Sequence, residues 1–198
     1  MRILVILTLL AMALLAVAGQ QPTSPAATPK PEEKVAVIDT NHGMIVIQFL
    51  RDKAPNTVAN FIKLAEEGFY DGTLFHRVIP GFMIQGGDPN TKLSDRSQHG
   101  FGGPGYTIKA EFNDQKHERG IVSMARGQDI DSAGSQFFIT VAAAPHLDNR
   151  YTAFGRVIQG MDVVDKIVQL RRDERDNPLD SNPAVIRSIR IRDWPLKD

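Results

Sequence analysis

The chain has 198 residues, enough for one folded domain with additional segments, and 42% of them are hydrophobic. Lysine and arginine together number 23, as do aspartate and glutamate, so the basic excess typical of a nucleic-acid binder is missing and we expect no nucleic-acid partner. Cysteine is absent, which excludes disulfides, thiolate metal sites, cysteine nucleophiles and a lipid-attachment cysteine.

The N-terminus has the pattern of a secretory signal peptide. Arg2 gives a short positive segment, an apolar run follows, and Ala16-Val17-Ala18 matches an A-x-A cleavage site. We therefore expect a signal peptide over residues 1–18 and a protein that is periplasmic or secreted, without stable membrane association after cleavage. The alternative is an uncleaved N-terminal membrane anchor, although the apolar run is shorter than the ~20 residues that a span requires.

Residues 19–34 are rich in Pro, Ser, Thr and Ala and contain too little apolar surface to bury, so we predict a disordered linker. The folded domain is expected to span residues 35–198. It begins with VAVIDT and GMIVIQF, two stretches rich in β-branched residues on either side of Asn41-His42-Gly43, which predict a β-hairpin.

Two later segments have helical periodicity, PNTVANFIKLAEEG and MDVVDKIVQL. In the first, Pro55 suits an initial turn and Gly68 can end the helix. The expected buried faces are Val58, Phe61, Ile62 and Ala65 in the first helix and Val164, Ile167 and Val168 in the second.

Short apolar stretches separated by glycine or proline predict the remaining strands: TLFHRVI, FMIQGG, GIVSMA, QFFITV, TAFGRVI and, at the end, AVIRSIRIRDW. Strand-helix-strand alternation does not recur, which argues against a parallel doubly wound sheet. The pattern instead favours a mostly β fold in which a closed antiparallel barrel has helices over its ends.

Other chemistries have weak support. Residues 100–105 match G-x-G-x-x-G, but a strand-like stretch follows where a dinucleotide site needs a helix, so we interpret them as a glycine-rich surface loop. The histidines lack zinc-site spacing, so no metal site is expected. Ser135 lacks the G-x-S-x-G pattern of a hydrolase, yet a Ser-His-Asp site assembled from distant parts of the chain remains an alternative.

The stretch FHRVIPGFMIQGGDP sets one arginine among apolar residues. Strand alternation predicts that Arg77 shares a face with Phe75 and Ile79. One interpretation is an edge arginine whose aliphatic stem packs on the barrel while its head reaches water. The other is a functional guanidinium beside an apolar pocket.

This stretch, followed in order by GIVSMAR, GSQFFIT and LDNRYTAFGRVIQGMDVVDKI, resembles the cyclophilin family of peptidyl-prolyl cis-trans isomerases from about residue 35 to the C-terminus. The resemblance implies a closed eight-stranded antiparallel barrel capped by two α-helices, and an activity that needs no cofactor. It implies that Arg77 is catalytic. The substrate-binding residues that it implies are Phe82, Met83, Gln85, Ala125, Arg126, Gln136, Phe138, His146, Leu147 and Tyr151.

Some positions depart from the family pattern. His146 stands where tryptophan is frequent, so we expect weak binding of cyclosporin while isomerase activity persists. Tyr151 stands where histidine is frequent, and Arg126 where asparagine is common.

The partners implied by the resemblance are proline-containing polypeptides, and we expect a monomer that assists the folding of exported proteins, because X-Pro isomerisation limits many folding reactions. The alternative is a non-catalytic proline-peptide binding module or chaperone.

Sequencing the N-terminus of the protein purified from its native source tests the predicted export. Cleavage after Ala18 gives a mature chain that begins at Gly19. A chain that still begins at Met1 and fractionates with membranes would support the anchor instead.

Overall fold

The computed structural model describes residues 33–197, so the predicted signal peptide and all but the last two residues of the predicted linker lie outside the described residues. Within that range the chain forms eight β-strands and two α-helices, close to the predicted positions. The strands are β1 (Lys34–Thr40), β2 (Gly43–Phe49), β3 (Arg77–Ile79), β4 (Met83–Gly86), β5 (Ile121–Met124), β6 (Phe137–Thr140), β7 (Ala153–Gln159) and β8 (Ile186–Asp193), and the helices are α1 (Pro55–Glu66) and α2 (Met161–Val168). Neither of these helices is long and apolar enough to cross a membrane.

The strands form one antiparallel sheet in the order β3-β4-β6-β5-β7-β2-β1-β8, which confirms the predicted antiparallel, mostly β fold. The prediction of a closed barrel is wrong, because the sheet is an open half-barrel with β3 and β8 at its two edges. The strand β3 is only three residues long. The main-chain N–H of Val78 donates to the carbonyl of Asp176, in the loop before β8, at 2.8 Å. A loop therefore occupies the edge at which a closed barrel would pair β3 with β8.

Main-chain hydrogen bonds outside the strands partly bridge the open seam. The N–H of Phe75 donates to the carbonyl of Ala184 at 2.8 Å, and the N–H of Ile186 donates to the carbonyl of Thr73 at 2.8 Å. The segment before β3 is thus tied to the start of β8 and does not extend β3. Regular alternation fails there, and the prediction that Phe75 shares a face with Arg77 is wrong.

The main core is the cluster of buried side chains contributed by all eight strands and both helices. The ring of Phe61 in α1 lies near its centre, with the rings of Tyr70, Phe137 and Phe154 at centroid distances of 5.0–5.4 Å. Such aromatic pairs stabilise a core beyond the area that they bury. The predicted faces of both helices are buried, except that Leu64 is buried while Ile62 is only partly so.

A smaller apolar cluster lies on the opposite face of β4 and β6. Because successive strand residues point to opposite faces, Ile84 and Phe137 enter the main core while Met83 and Phe138 enter the second cluster. We call this second group the site cluster. It consists of Met83, Phe138, Ala144 and Leu147, against which Ile79, Phe82, Ala125 and Tyr151 pack.

Candidate functional site

The site cluster forms the floor and walls of a surface cavity of about 220 Å³, which we call the site cavity. Three of its apolar residues, Met83, Phe138 and Leu147, are no more than 6% exposed. Nine of the eleven residues predicted from the sequence line it: Arg77, Phe82, Met83, Gln85, Ala125, Arg126, Phe138, Leu147 and Tyr151. The fold therefore brings together residues that lie up to 74 positions apart in the chain.

Strand register places the one basic side chain of β3 beside this cavity. Arg77 pairs with Gln85 across β3 and β4, and Gln85 pairs with Phe138 across β4 and β6. Directly opposed residues on neighbouring strands project their side chains to the same face. A guanidinium, an amide and an aromatic ring thus form one row across three strands.

The guanidinium of Arg77 lies near a carboxylate but does not form a hydrogen bond with it. Its Nε lies 4.0 Å from Oδ2 of Asp176, and its side chain is 44% exposed. The other carboxylate oxygen, Oδ1, accepts from Nε of Arg172 at 3.2 Å. The Arg77 guanidinium makes no hydrogen bond within residues 33–197, so its donors remain free to meet a ligand.

Gln136 does not line the site cavity, although the sequence placed it among the binding residues. Its Nε2 donates to the carbonyls of Gly100 and Gly102 at 3.0 and 2.9 Å, and its Oε1 accepts from Nε2 of Gln85 at 2.9 Å. Gln136 thereby ties the glycine-rich loop to the row that contains Arg77. No helix follows that loop, and Ile108 instead bridges to Ala133, so the structure has no dinucleotide-binding turn here.

His146 lies at the rim of the site cavity and not in its wall. It is exposed, and its ring centroid is 5.5 Å from that of Phe82. Tyr151 contributes to the wall, with its ring edge-on to Phe138 at 5.8 Å. Tyr151, which the resemblance implies is a substrate-binding residue, thus lies in the wall of the site cavity, and His146, which is expected to affect cyclosporin binding, lies at the rim.

Comparison with known proteins identifies the family. Residues 35–191 match the family model described as cyclophilin type peptidyl-prolyl cis-trans isomerase/CLD. The chain belongs to this cyclophilin family. A peptidyl-prolyl cis-trans isomerase of Synechococcus elongatus is 51% identical over 121 residues, 61% of this chain and 78% of that protein. One from Helicobacter pylori is 46% identical over 138 residues, 68% of this chain and 80% of that protein.

A solved structure agrees with this assignment. It is a cyclophilin type peptidyl-prolyl cis-trans isomerase of Cryptosporidium parvum, crystallised in the presence of the dipeptide Ala-Pro. It superposes with a TM-score of 0.72 at 33% identity and covers 80% of this chain and 98% of its own. The resemblance read from the sequence is therefore confirmed, and the chain is a peptidyl-prolyl cis-trans isomerase.

The sequence did not indicate one polar group of side chains in this cyclophilin. Nδ1 of His117 lies 3.1 Å from Oδ1 of Asp148, and Nε2 lies 3.0 Å from Oγ of Ser123. The three residues have the connectivity of a hydrolase triad. Ser123 is 0% exposed, however, so its hydroxyl cannot reach a substrate carbonyl. Ser135 lies elsewhere and donates to the carbonyl of Gly87, which leaves the hydrolase alternative without a nucleophile among these residues.

This polar group, in which His117 and Ser123 are buried, supports the site from beneath. The ring of His117 stacks on Phe138 at a centroid distance of 6.2 Å and an interplanar angle of 20°. Burial lowers the pKa of His117, although its hydrogen bond to Asp148 opposes that shift. A neutral imidazole fixed at both nitrogens therefore holds one wall of the site cavity in place. Widely spaced polar residues such as these carry no local sequence pattern.

His76, the neighbour of Arg77 in the chain, is buried and lacks hydrogen-bond partners. It is 4% exposed, and neither ring nitrogen has a partner among the described residues. Burial lowers the pKa of His76 to about 4, although the carboxylate of Asp88 opposes the shift. The imidazole is therefore neutral at physiological pH and adds no charge beside Arg77.

Acidification should destabilise the fold through His76. In the unfolded chain its pKa is about 6.5, so between pH 6.5 and pH 4 the unfolded state binds the proton and the folded state does not. The stabilising contribution is thus complete above pH 6.5 and is lost as the pH falls. We expect the free energy of unfolding to drop about 2 kcal/mol more in the wild type than in His76→Gln between pH 7.5 and pH 4.5. Urea denaturation at both pH values measures the free energy of unfolding. Equal decreases in the wild type and in His76→Gln would contradict the lowered pKa of His76.

Proposed function

We propose that Arg77 catalyses rotation about the X-Pro bond by stabilising the twisted imide, while the site cavity holds the proline ring. Rotation is slow because resonance gives the C–N bond double-bond character, with a barrier of roughly 18–20 kcal/mol. In the twisted state the resonance is lost and the nitrogen lone pair is localised. A guanidinium can donate a hydrogen bond to that lone pair, and it stays charged at any physiological pH.

The composition of the site cavity suits this role. No covalent bond is broken in the reaction, so the site needs no nucleophile. An apolar wall that excludes water is useful instead. Met83, Phe138 and Leu147 offer apolar surface to a proline ring, and the exclusion of water strengthens a hydrogen bond from Arg77. The relative crystallised in the presence of Ala-Pro supports proline-containing polypeptides as the partners.

Main-chain groups beside the cavity can align an extended peptide. The N–H of Ala125 donates to the carbonyl of Gln136 at 2.9 Å. Among the described residues, the carbonyl of Ala125 and the N–H of Arg126 have no main-chain partner, because β5 ends at Met124. A bound chain can pair with these two groups as an added strand would.

The observation that favours a catalytic role over peptide binding alone is the position and environment of the Arg77 guanidinium. A module that only grips proline needs the apolar cavity and does not need a charged donor with free N–H groups beside it. Here the guanidinium of Arg77 lines the site cavity, lies 4.0 Å from Asp176 and makes no hydrogen bond to any of the described residues. This arrangement favours an isomerase over a non-catalytic binding module or chaperone.

The cellular role that we propose is assistance to proteins that fold outside the cytoplasm. It rests on the A-x-A pattern that ends at Ala18 and on the slowness of uncatalysed X-Pro isomerisation, which takes about 10–100 s at 25 °C. Periplasmic or secreted chains meet this delay after export, when an isomerase in the same compartment can act on them.

Replacing Arg77 tests the catalytic role. Arg77→Ala should lower kcat/KM for a short X-Pro peptide roughly a hundredfold, the loss typical of one donor aimed at a transition state. Arg77→Lys should recover only part of the rate, because an ammonium lacks the planar donor geometry. Exchange NMR of the peptide measures the rate, with circular dichroism to verify folding.

The matched control is Arg187→Ala, which removes an exposed arginine of β8 that lies 3.8 Å from Asp39. It should leave the rate unchanged. Full activity in a folded Arg77→Ala protein would refute the role.

Cyclosporin binding tests the role of His146 at the rim of the site cavity. His146→Trp adds an indole beside Phe82 and should tighten binding about tenfold or more, because buried tryptophans are frequent hot spots. His146→Phe, which lacks the indole N–H, should give a smaller gain. Titration calorimetry measures both, and an unchanged dissociation constant in His146→Trp would show that position 146 does not limit binding.

A further inference from the structure

Two further cavities adjoin the site cavity, and the three together form one groove. The cavity of about 480 Å³ shares Gln85, Ala125 and Arg126 with the site cavity. The cavity of about 270 Å³ shares Arg77 and Gln85 with it. A peptide that places its proline in the site cavity therefore extends its neighbouring residues into surfaces that these cavities line.

The charge of this groove has one sign. Its charged lining residues are Arg77, Arg126 and Arg175, and no carboxylate lines any of the three cavities. The chain as a whole has equal numbers of acidic and basic residues. A cavity elsewhere on the surface shows the mixture expected from that composition, with Glu33 and Asp52 among its basic neighbours. The positive groove is thus a local feature.

Arg126 is the arginine best placed to act on a substrate. It lines both the site cavity and the cavity of about 480 Å³. Its guanidinium lies 4.7 Å from the ring centroid of Tyr151 and donates to the carbonyl of Arg150 at 3.1–3.2 Å and to that of Gly127 at 2.9 Å. These contacts fix the side chain, so that little conformational entropy remains to be lost on binding.

The charge of Arg126 is not neutralised. No carboxylate lies within 4.0 Å of it in the part of the chain that the structure describes, and carbonyl partners leave its full positive charge in place. Arg77 differs, because Asp176 stands 4.0 Å from its Nε. Arg175 has no carboxylate within 4.0 Å among these residues either, but it does not line the site cavity.

We propose that this isomerase prefers proline segments that carry a glutamate or aspartate next to the proline, and that Arg126 is the residue that selects it. The inference rests on the proposed function, since it names the substrates of the same site. A carboxylate beside the proline meets a prearranged, half-buried cation with no competing acid. A lysine in the same place meets repulsion from Arg126 and Arg77.

Matched peptides test the preference in the purified protein. Each peptide contains one proline and has Glu, Gln or Lys at the position before it or at the position after it. For at least one position we expect kcat/KM to be about three- to tenfold higher for Glu than for Gln, the range of a partly buried charge pair, and lower for Lys than for Gln. Salt at 1 M should reduce the ratio of Glu to Gln, because it screens charges.

Variants assign the preference to its residue. In Arg126→Gln the ratio of Glu to Gln should fall close to one, whereas Arg126→Lys, which keeps the charge, should retain most of it. The control is Arg171→Gln, which removes an exposed arginine outside the groove and should alter neither the ratio nor the rate for the Gln peptide. If Arg126→Gln does not fold, Arg126→Lys and the salt dependence in the wild type carry the test.

The outcomes separate the two proposals. Equal rates for Glu and Gln peptides at both positions, with normal isomerisation of the Gln peptide, overturn the preference and leave the isomerase mechanism standing. A preference that survives unchanged in Arg126→Gln or at 1 M salt overturns the role of Arg126. Failure to isomerise any of the peptides counts against the proposed function itself.

Discussion

The site of this cyclophilin depends on the antiparallel pairing of three short strands, β3, β4 and β6, which place apolar side chains on both faces of the sheet. Alternation along β4 and β6 sends Ile84 and Phe137 into the main core and Met83 and Phe138 into the site cluster. A slip of one residue in β4 would turn Met83 into the core and Ile84 to the site, and it would remove Gln85 from the row that contains Arg77. The same packing that stabilises the fold therefore fixes the chemistry on its outer surface.

Polar contacts then position the side chains that the apolar cluster cannot hold. His117 stacks beneath Phe138, and Gln136 joins the glycine-rich loop to Gln85. At the open edge of the sheet, the loop before β8 lies beside β3 and brings Asp176 close to Arg77. The opening of the barrel thus has a consequence for the site, because the loop that lies at this edge carries the carboxylate beside Arg77.

Much of this arrangement could be predicted from the sequence. Runs of β-branched and aromatic residues located the strands, and helical periodicity located both helices. The FHRVIPGFMIQGGDP stretch pointed to Arg77, and the resemblance supplied a residue set of which nine members line one cavity. A local sequence pattern predicts a feature correctly when a single strand or helix determines that feature.

The remaining features depend on contacts between distant segments. The open seam arises because a charged loop that follows α2 bonds to β3, which no local pattern at β3 reveals. Phe75 turns into the main core because its main chain is tied to Ala184, more than a hundred residues away. His117, Ser123 and Asp148 meet only once the strands are assembled.

The most direct test of the account is a crystal structure of the protein with a bound X-Pro peptide. We expect the proline ring to pack against Met83, Phe138 and Leu147, with a guanidinium nitrogen of Arg77 within roughly 3–3.5 Å of the prolyl nitrogen. A ring bound outside the site cavity, or a guanidinium turned onto Asp176 and away from the peptide, would contradict it.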